Sequence, residues 1–506
     1  MNYRLLRYVF GVLLLMESFF MLVSTGVAVY YRFAAGDSDW LCLALTTAVT
    51  ALAGALLWRS GRKREPGMEK KDGYLIVSLA WIVFSFFGMM PYLLYGTTDN
   101  LTDAFFEAMS GFTTTGSTVL ENIDLQPHGI LFWRSMTHWL GGLGIVVFSL
   151  ALLPLIGGGT GANMMFDAET TGLGGSKLRP KIQSTARRLW GIYLSLTLMA
   201  AFLLSLGPMT LFDAVNVAMS TVATGGFAPH QASLAYYHSS YVEYIVAIFL
   251  FIASLNFSLF YYAGVGRWKM FWKDEEFRWF VRIVLCFTGL FVVMIYIVRS
   301  VDWASEQQVL AMGGTNPGFL TVLRMSFFHV MTIVSSGGFQ AEYFDYDAWG
   351  MLFWQPTFVL MMCGGCAGST AGGMKVVRVA VFVKSIKSHF IRMLHPRQVS
   401  IVKLNERPVP TGTIYKVMAM FSVYVILIFL SNFILQILGL DVESAFGTSI
   451  SAFSNTGPGL GLTGPAFTWA SVPDAGKWML SFAMLMGRLE IFTFLIVLTP
   501  EFWRKY

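Results

Sequence analysis

Ala108-Met109-Ser110-Gly111-Phe112-Thr113-Thr114-Thr115-Gly116 runs an apolar helical stretch into a threonine turn that ends in glycine. The pattern returns at Val222-Ala223-Thr224-Gly225, Val334-Ser335-Ser336-Gly337 and Ser454-Asn455-Thr456-Gly457. Each copy lies between two hydrophobic segments long enough to cross a bilayer. One such turn is ordinary turn chemistry. Four at matched positions imply an internal repeat, with helix, re-entrant turn and helix arranged about one pseudo-fourfold axis. On that axis, backbone carbonyls can stand in for an ion's water shell.

Composition fixes the setting. The chain of 506 residues is 55% hydrophobic and 13% charged, far from a soluble balance. Hydropathy predicts ten spans, at about 5–31, 40–58, 74–95, 130–156, 186–206, 241–265, 279–299, 351–385, 412–438 and 476–498. The apolar runs at about 101–113, 210–222, 318–334 and 442–453 are too short or interrupted to cross, and read as half-spanning pore helices. The fold class expected is an all-α integral membrane protein with four M1, pore-helix, M2 repeats in pseudo-fourfold arrangement, plus an N-terminal two-helix hairpin.

The segments follow from this division. They are the hairpin 1–58, a linker with repeat 1 and a glycine-rich basic stretch over 59–185, repeat 2 over 186–278, repeat 3 with its linker over 279–411, and repeat 4 over 412–506. The run after Arg4 and Arg7 exceeds a signal peptide's apolar region and lacks a small-x-small cleavage site, so it reads as a retained span.

The net charge of +6 invites a nucleic-acid partner, but the positions of the charges argue against one. With both termini cytoplasmic, only Arg32, Arg134, Arg299, Arg324 and Lys477 fall outside, and Arg488 falls within the last span. The other basic residues cluster on the cytoplasmic side, as the positive-inside rule requires. The outer loops carry acidic residues instead, among them Asp103, Glu107, Asp124 and Glu243. These could concentrate cations at a pore mouth or simply solvate the surface.

Glycine reaches the left-handed dihedrals that let successive carbonyls point inward. That singles out Gly116, Gly225, Gly337 and Gly457 as the narrow point, with Thr115, Thr224, Ser336 and Thr456 adding hydroxyl oxygens just before it. Thr114, Ala223, Ser335 and Asn455 complete the candidate filter. The pore helices would turn their negative C-terminal ends to the axis, which favours a cation.

Two further features stand out. Gly364-Gly365-Cys366-Ala367-Gly368-Ser369-Thr370-Ala371-Gly372-Gly373 places five glycines in ten residues and cannot hold a straight helix cheaply. A broken helix here would insert a gating loop below the filter, with Lys375 at its exit; the competing reading is close helix packing through small residues. Arg488 lies in mid-span, and an intramembrane arginine is a functional candidate by default. It is expected to face the ion path below the filter, with helix-terminal carbonyls as the structural alternative. Glu490, two residues on, does not share its helix face. His138 reads as a packing or hydrogen-bonding residue.

Other chemistry finds little support. Cys363-Gly364-Gly365-Cys366 lacks a second pair for a zinc or redox site, and Gly459-Leu460-Gly461-Leu462-Thr463-Gly464 has no strand before it to make a dinucleotide fingerprint. A membrane enzyme would need clustered catalytic groups. A secondary transporter of inverted-repeat type would show two inverted halves rather than four parallel units.

Phe132-Trp133-Arg134-Ser135-Met136-Thr137-His138-Trp139-Leu140-Gly141-Gly142-Leu143-Gly144-Ile145, the block Gly364–Lys375, Ser454-Asn455-Thr456-Gly457-Pro458-Gly459 and Met486-Gly487-Arg488-Leu489-Glu490 resemble the Trk, Ktr and HKT superfamily of potassium transporters. Within it the chain is most similar to bacterial TrkH membrane subunits, over nearly its whole length. The resemblance implies potassium as substrate, no cofactor in this chain, and a bacterial inner-membrane location. It also implies a homodimer with a pore in each subunit and a cytoplasmic ring of TrkA-like partners that bind the regulatory nucleotide. The filter glycines, the loop of about 364–374 and the pore arginine Arg488 match the family's motifs. Gly116, where some sodium-favouring plant relatives carry serine, agrees with potassium.

Overall fold

The computed structural model describes residues 2–62, 69–142, 144, 182–300, 317–341 and 349–504. Among these, six helices are long and apolar enough to cross a membrane: Tyr3–Ala34, Trp40–Gly61, Lys71–Tyr95, Arg187–Ser205, Glu275–Val298 and Thr411–Ile437. A seventh span forms if Ser240–Ala253 and Phe257–Gly264, bent by 91°, are counted together. Bulky apolar residues such as Leu52, Phe202, Val293, Phe429 and Phe433 are exposed along these helices, as expected of surfaces solvated by lipid tails.

The first two helices form the N-terminal hairpin. Gly11, Gly54 and Gly61 let their backbones approach closely, since a Cβ at Gly11 or Gly61 would strike the backbone of the facing helix. The hairpin is tied to the rest by Asp37, which accepts from the His128 backbone N–H at 2.9 Å, and by Asp39, which accepts from that of Ile130 at 2.9 Å. Tyr31 stacks on the His128 ring at 3.9 Å.

Four shorter helices lie inside the bundle, at Leu101–Phe112, Leu211–Val222, Phe319–Val334 and Val442–Ser454. Three have side-chain N-caps: Asn100 accepts from the Asp103 N–H, Thr210 from that of Asp213, and Asp441 from that of Ser444. Their C-terminal halves are almost wholly buried. A capped start and a buried end aim each helix dipole inward.

The helices that follow them depart from straight spans. The segment read as continuous over 241–265 breaks at Ser254-Leu255-Asn256, where Asn256 caps the next helix by accepting from the Ser258 N–H at 2.9 Å. The segment 351–385 stops at Cys363 and resumes at Val376. The last, 476–498, stops at Arg488 and resumes at Phe492, with Glu490 and Ile491 at φ of 59° and 55°. Hydropathy averages over a window and does not register breaks of three to twelve residues. The span predicted over 130–156 is described only to Gly142 and at Gly144, and most of the glycine-rich stretch after it lies outside the described residues.

Candidate functional site

The four turns after the short helices meet. A Cβ on Gly116 would collide with the Gly225 carbonyl oxygen, one on Gly226 with that of Gly337, and one on Gly338 with that of Thr456. The circuit closes at Gly457, whose Cβ would lie 2.7 Å from the Thr115 carbonyl oxygen. Each turn's glycine therefore lies against a carbonyl of the next turn, and all four form a closed ring of main chain.

The ring also corrects the expected register. Thr115, Gly225, Gly337 and Thr456 donate their N–H to Ser110, Ser220, Thr332 and Ser451, five residues back in each case. These four positions are equivalent. The residues before them, Thr114, Thr224, Ser336 and Asn455, share a left-handed φ of 55–57°. The residues after them, Gly116, Gly226, Gly338 and Gly457, have φ of 82°, 89°, 61° and 100°. The equivalent glycines are thus 116, 226, 338 and 457. Gly225 and Gly337 match Thr115 and Thr456, one place earlier. The expectation took the first glycine of each Gly-Gly pair, whereas the left-handed position demands the second.

Side chains lock these strained backbones. Thr115 shares a hydroxyl contact with Thr113 at 2.8 Å and accepts from the Asn455 amide at 3.0 Å. The same amide donates to the Met484 carbonyl at 2.8 Å. His138 stacks on Phe227 at 3.9 Å and accepts from the Phe227 N–H at 3.4 Å. A Cβ on Gly225 would enter the His138 ring, so the small residue and the imidazole are matched. Ala223 and Ser335 end their helices and are buried behind the ring.

On one side of the ring opens a vestibule lined by residues after the turns, including Ser117, Thr118, Gly226, Gly338, Gln340 and Pro458. Behind its wall stands a pair that sequence placed outside: Arg134 and Glu107 are both buried, with Nε to Oε1 at 2.7 Å. Glu107 also accepts from the Thr118 hydroxyl at 3.0 Å and the Val119 N–H at 3.0 Å. Arg134 donates to the Ala228 carbonyl at 3.1 Å and lies over the Phe227 ring at 3.5 Å. The pair braces the exits of the first two turns.

Other acidic residues expected near a mouth are paired too, Asp103 with Lys477 at 2.6 Å and Glu243 with Arg324 at 3.0 Å. Glu342, Asp345 and Asp347 lie outside the described residues. Such pairing argues for local neutralisation at Asp103, Glu107 and Glu243 rather than a ring of free carboxylates.

His230, at the vestibule rim, sits between Asp124 at 2.7 Å and Asp213 at 3.6 Å and stacks on Tyr236 at 3.6 Å. Burial pushes its imidazole down, but the hydrogen bonds to Asp213 and Asp124 outweigh this and hold it above its ordinary value. A raised folded-state value stabilises the fold fully below the unfolded value of about 6.5 and is lost as pH rises through the folded one. The melting temperature of the protein relative to a His230→Asn variant is therefore expected to fall as pH rises from about 6.5 into the alkaline range. A constant difference across that range would refute the assignment.

The opposite side of the ring is covered by the segment 364–375. Its Cys366 N–H donates to the Ser254 carbonyl at 2.9 Å, and its Gly368 carbonyl accepts from the Phe257 N–H at 3.1 Å. It thus seats in the break between Ala253 and Phe257. The Thr370 hydroxyl donates to the Val222 carbonyl at 3.1 Å, and the Gly372 N–H to the Ser336 hydroxyl at 2.6 Å. A Cβ on Gly372 would strike the Ser454 carbonyl oxygen. The segment therefore touches the helix-end side of turns two, three and four. Gly364, Gly368 and Gly373 have positive φ, as does Lys375 at 72°, and Gly364 and Gly373 pack backbone to backbone. Gly365 accepts from the Val376 N–H at 2.9 Å, Ser369 folds back on the Cys366 carbonyl at 2.6 Å, and the Lys375 ammonium donates to the Ala371 carbonyl.

Arg488 joins this segment to the first repeat, donating to the Thr370 carbonyl at 2.8 Å and the Gly141 carbonyl at 2.7 Å. Glu490 pairs with Arg378 instead, just past the segment's exit. Sequence reasoning placed Arg378 beside Lys375 at the segment's exit, without its partner Glu490, and missed the Ser254–Asn256 break and Glu276, whose carboxylate binds the segment's backbone. A serine-leucine-asparagine within an apolar run was the available signal for the break; nothing local marked Glu276. Cys363 and Cys366 are buried free thiols, and among the described residues no three His, Cys, Asp or Glu side chains stand together for a metal.

Lipid-facing helices around a closed main-chain ring, open on one side and covered on the other, define a membrane transport protein rather than an enzyme. A family model for TrkH, described as a cation transport protein, matches residues 43–505, and the chain belongs to that family. It is 36% identical to the Trk system potassium uptake proteins TrkH of Salmonella typhimurium and Escherichia coli, covering all of each chain. The crystal structure of the potassium transporter TrkH from Vibrio parahaemolyticus superposes with a TM-score of 0.86 at 34% identity, again over the whole of both chains.

Proposed function

We propose that this protein carries potassium into a bacterial cell across the inner membrane, through the ring formed by the four turns. The observation that carries this reading is the closed circuit of carbonyls and left-handed glycines, which offers neutral oxygens to a dehydrated monovalent cation. The relatives' names as potassium uptake proteins supply the ion. The filter comprises Thr114 to Gly116, Thr224 to Gly226, Ser336 to Gly338 and Asn455 to Gly457. The segment 364–375 acts as the gate, with Arg488 pinning it.

Both termini lie in the cytoplasm, by the distribution of basic residues. A homodimer, and a cytoplasmic ring of TrkA-like nucleotide-binding subunits, follow from the family resemblance.

Rubidium uptake into proteoliposomes, with and without an imposed proton gradient, tests the reading. Potassium should compete and sodium should not. Deleting Gly365–Gly373 is expected to raise passive rubidium leak by at least about tenfold, the factor that corresponds to removing a barrier of about 1.4 kcal/mol. A pore silenced by the deletion would argue against a gate.

A further inference from the structure

Asp274-Glu275-Glu276 opens the helix Glu275–Ser300, and its three carboxylates face two different structures. Asp274 and Glu275 grip the surface β-hairpin in which Lys403–Leu404 pairs antiparallel with Arg407–Pro408. Asn405, at the hairpin tip, accepts from the Glu275 N–H at 2.6 Å, donates its own N–H to the Glu275 carboxylate at 2.9 Å, and reaches Asp274 with its side-chain amide at 3.3 Å. Lys384 binds the Glu275 carboxylate and the Lys403 carbonyl at once.

Glu276 turns the other way and is buried. Its Oε1 accepts from the Ala367 N–H at 2.6 Å and the Val377 N–H at 3.2 Å. Ala367 belongs to the glycine-rich segment; Val377 stands in the first turn of the helix that follows it. One oxygen therefore spans the neck of the segment. The residues between are tied further in, to Phe257, Val222, Ser336 and Arg488, but at the neck itself Glu276 is the side chain that joins both ends, and the glycines there add no side-chain packing. Two buried backbone N–H groups share this one acceptor, and both are left unsatisfied if it withdraws.

We propose that Glu276 is a positioning residue that clasps the segment 364–375 shut, and that the hairpin Lys403–Pro408 is mechanically coupled to that clasp through the adjacent Asp274 and Glu275. This rests on the reading of the segment as the gate. Displacing the hairpin tip drags the start of the helix, withdraws Glu276 from Ala367 and Val377, and lets the segment leave its seat at Ser254–Asn256.

The test uses the full chain in proteoliposomes with rubidium as the probe. Glu276→Ala is expected to raise basal rubidium flux at least about tenfold, since stranding the buried Ala367 and Val377 N–H groups shifts a two-state population by about that much. Glu276→Gln keeps an acceptor oxygen and should stay nearer the parent. The potassium-over-sodium flux ratio should not move in either, because the ring itself is untouched. A second readout is Cys366, beside Ala367, in a background with Cys42, Cys286 and Cys363 replaced by alanine. Its labelling by a methanethiosulfonate should speed up with the flux.

Val377→Pro removes one donor while leaving Glu276 in place, and proline is tolerated in the first turn of a helix. It should give an intermediate rise, and it decides the matter if Glu276→Ala does not yield folded protein. Parental flux and labelling in these variants, while the Gly365–Gly373 deletion leaks, would overturn the clasp alone. A deletion that does not leak would overturn the gate and the clasp together. A flux rise accompanied by lost ion discrimination would show general collapse, and would also reject the proposal.

Discussion

A Gly226→Ser variant is expected to lose at least about tenfold of its discrimination between potassium and sodium, measured as competition against rubidium uptake. Gly226 has φ of 89° and no room for a Cβ, which would strike the Gly337 carbonyl oxygen. An L-residue in that backbone region costs roughly 1–2 kcal/mol before any collision. The collision must then be relieved by moving a carbonyl of the third turn. Since about 1.4 kcal/mol is a factor of ten in relative occupancy, a displaced oxygen is enough to erase much of the preference. Gly116→Ser should behave alike, because it occupies the equivalent place with φ of 82°. Gly337→Ser should act differently: its added atoms meet the flexible Leu250 side chain, at 2.7 Å, rather than a neighbouring carbonyl. If Gly337→Ser proved the more damaging, the register assigned to the ring would be wrong.

Arg134→Ala is expected to be the most destabilising single change outside the ring, at about 3–5 kcal/mol, the cost of stranding a buried charge. Glu107 would keep its contacts to Thr118 and Val119 but lose the cation that neutralises it. The loss should appear as a lower melting temperature and poor recovery in detergent. Glu107→Leu combined with Arg134→Met should recover much of it, because apolar replacement of both partners removes the stranded charge. A single variant that melts with the parent would show that another group compensates Glu107.

The sequence made the short helices, their turns and the glycine-rich segment legible, because each announces itself through local chemistry. A helix too short to cross, followed by Thr115-Gly116 or Thr456-Gly457, needs no tertiary information. The register was less legible. Gly225-Gly226 and Gly337-Gly338 offer two candidates each, and only the hydrogen bonds to Ser220 and Thr332 tell which sits left-handed. Charge was the least legible. Arg134 counted among the basic residues on the outer side by topology and is a core brace, and Glu276, which no local pattern singles out, holds the neck of a loop. Both owe their roles to partners distant in sequence, Glu107 and Ala228 for one and Ala367 and Val377 for the other. Arg488 was legible as an outlier, though its bonds to Thr370 and Gly141 could not be read from spacing.

The contacts between turns run in one rotational sense: first to second, second to third, third to fourth, and fourth back to first. Such a circuit behaves like an iris. A push on any blade is handed to the next in the same direction, so the aperture is a joint property and no blade sets it alone. Paired substitutions in neighbouring turns should therefore depart from additivity far more than their separation along the chain would suggest.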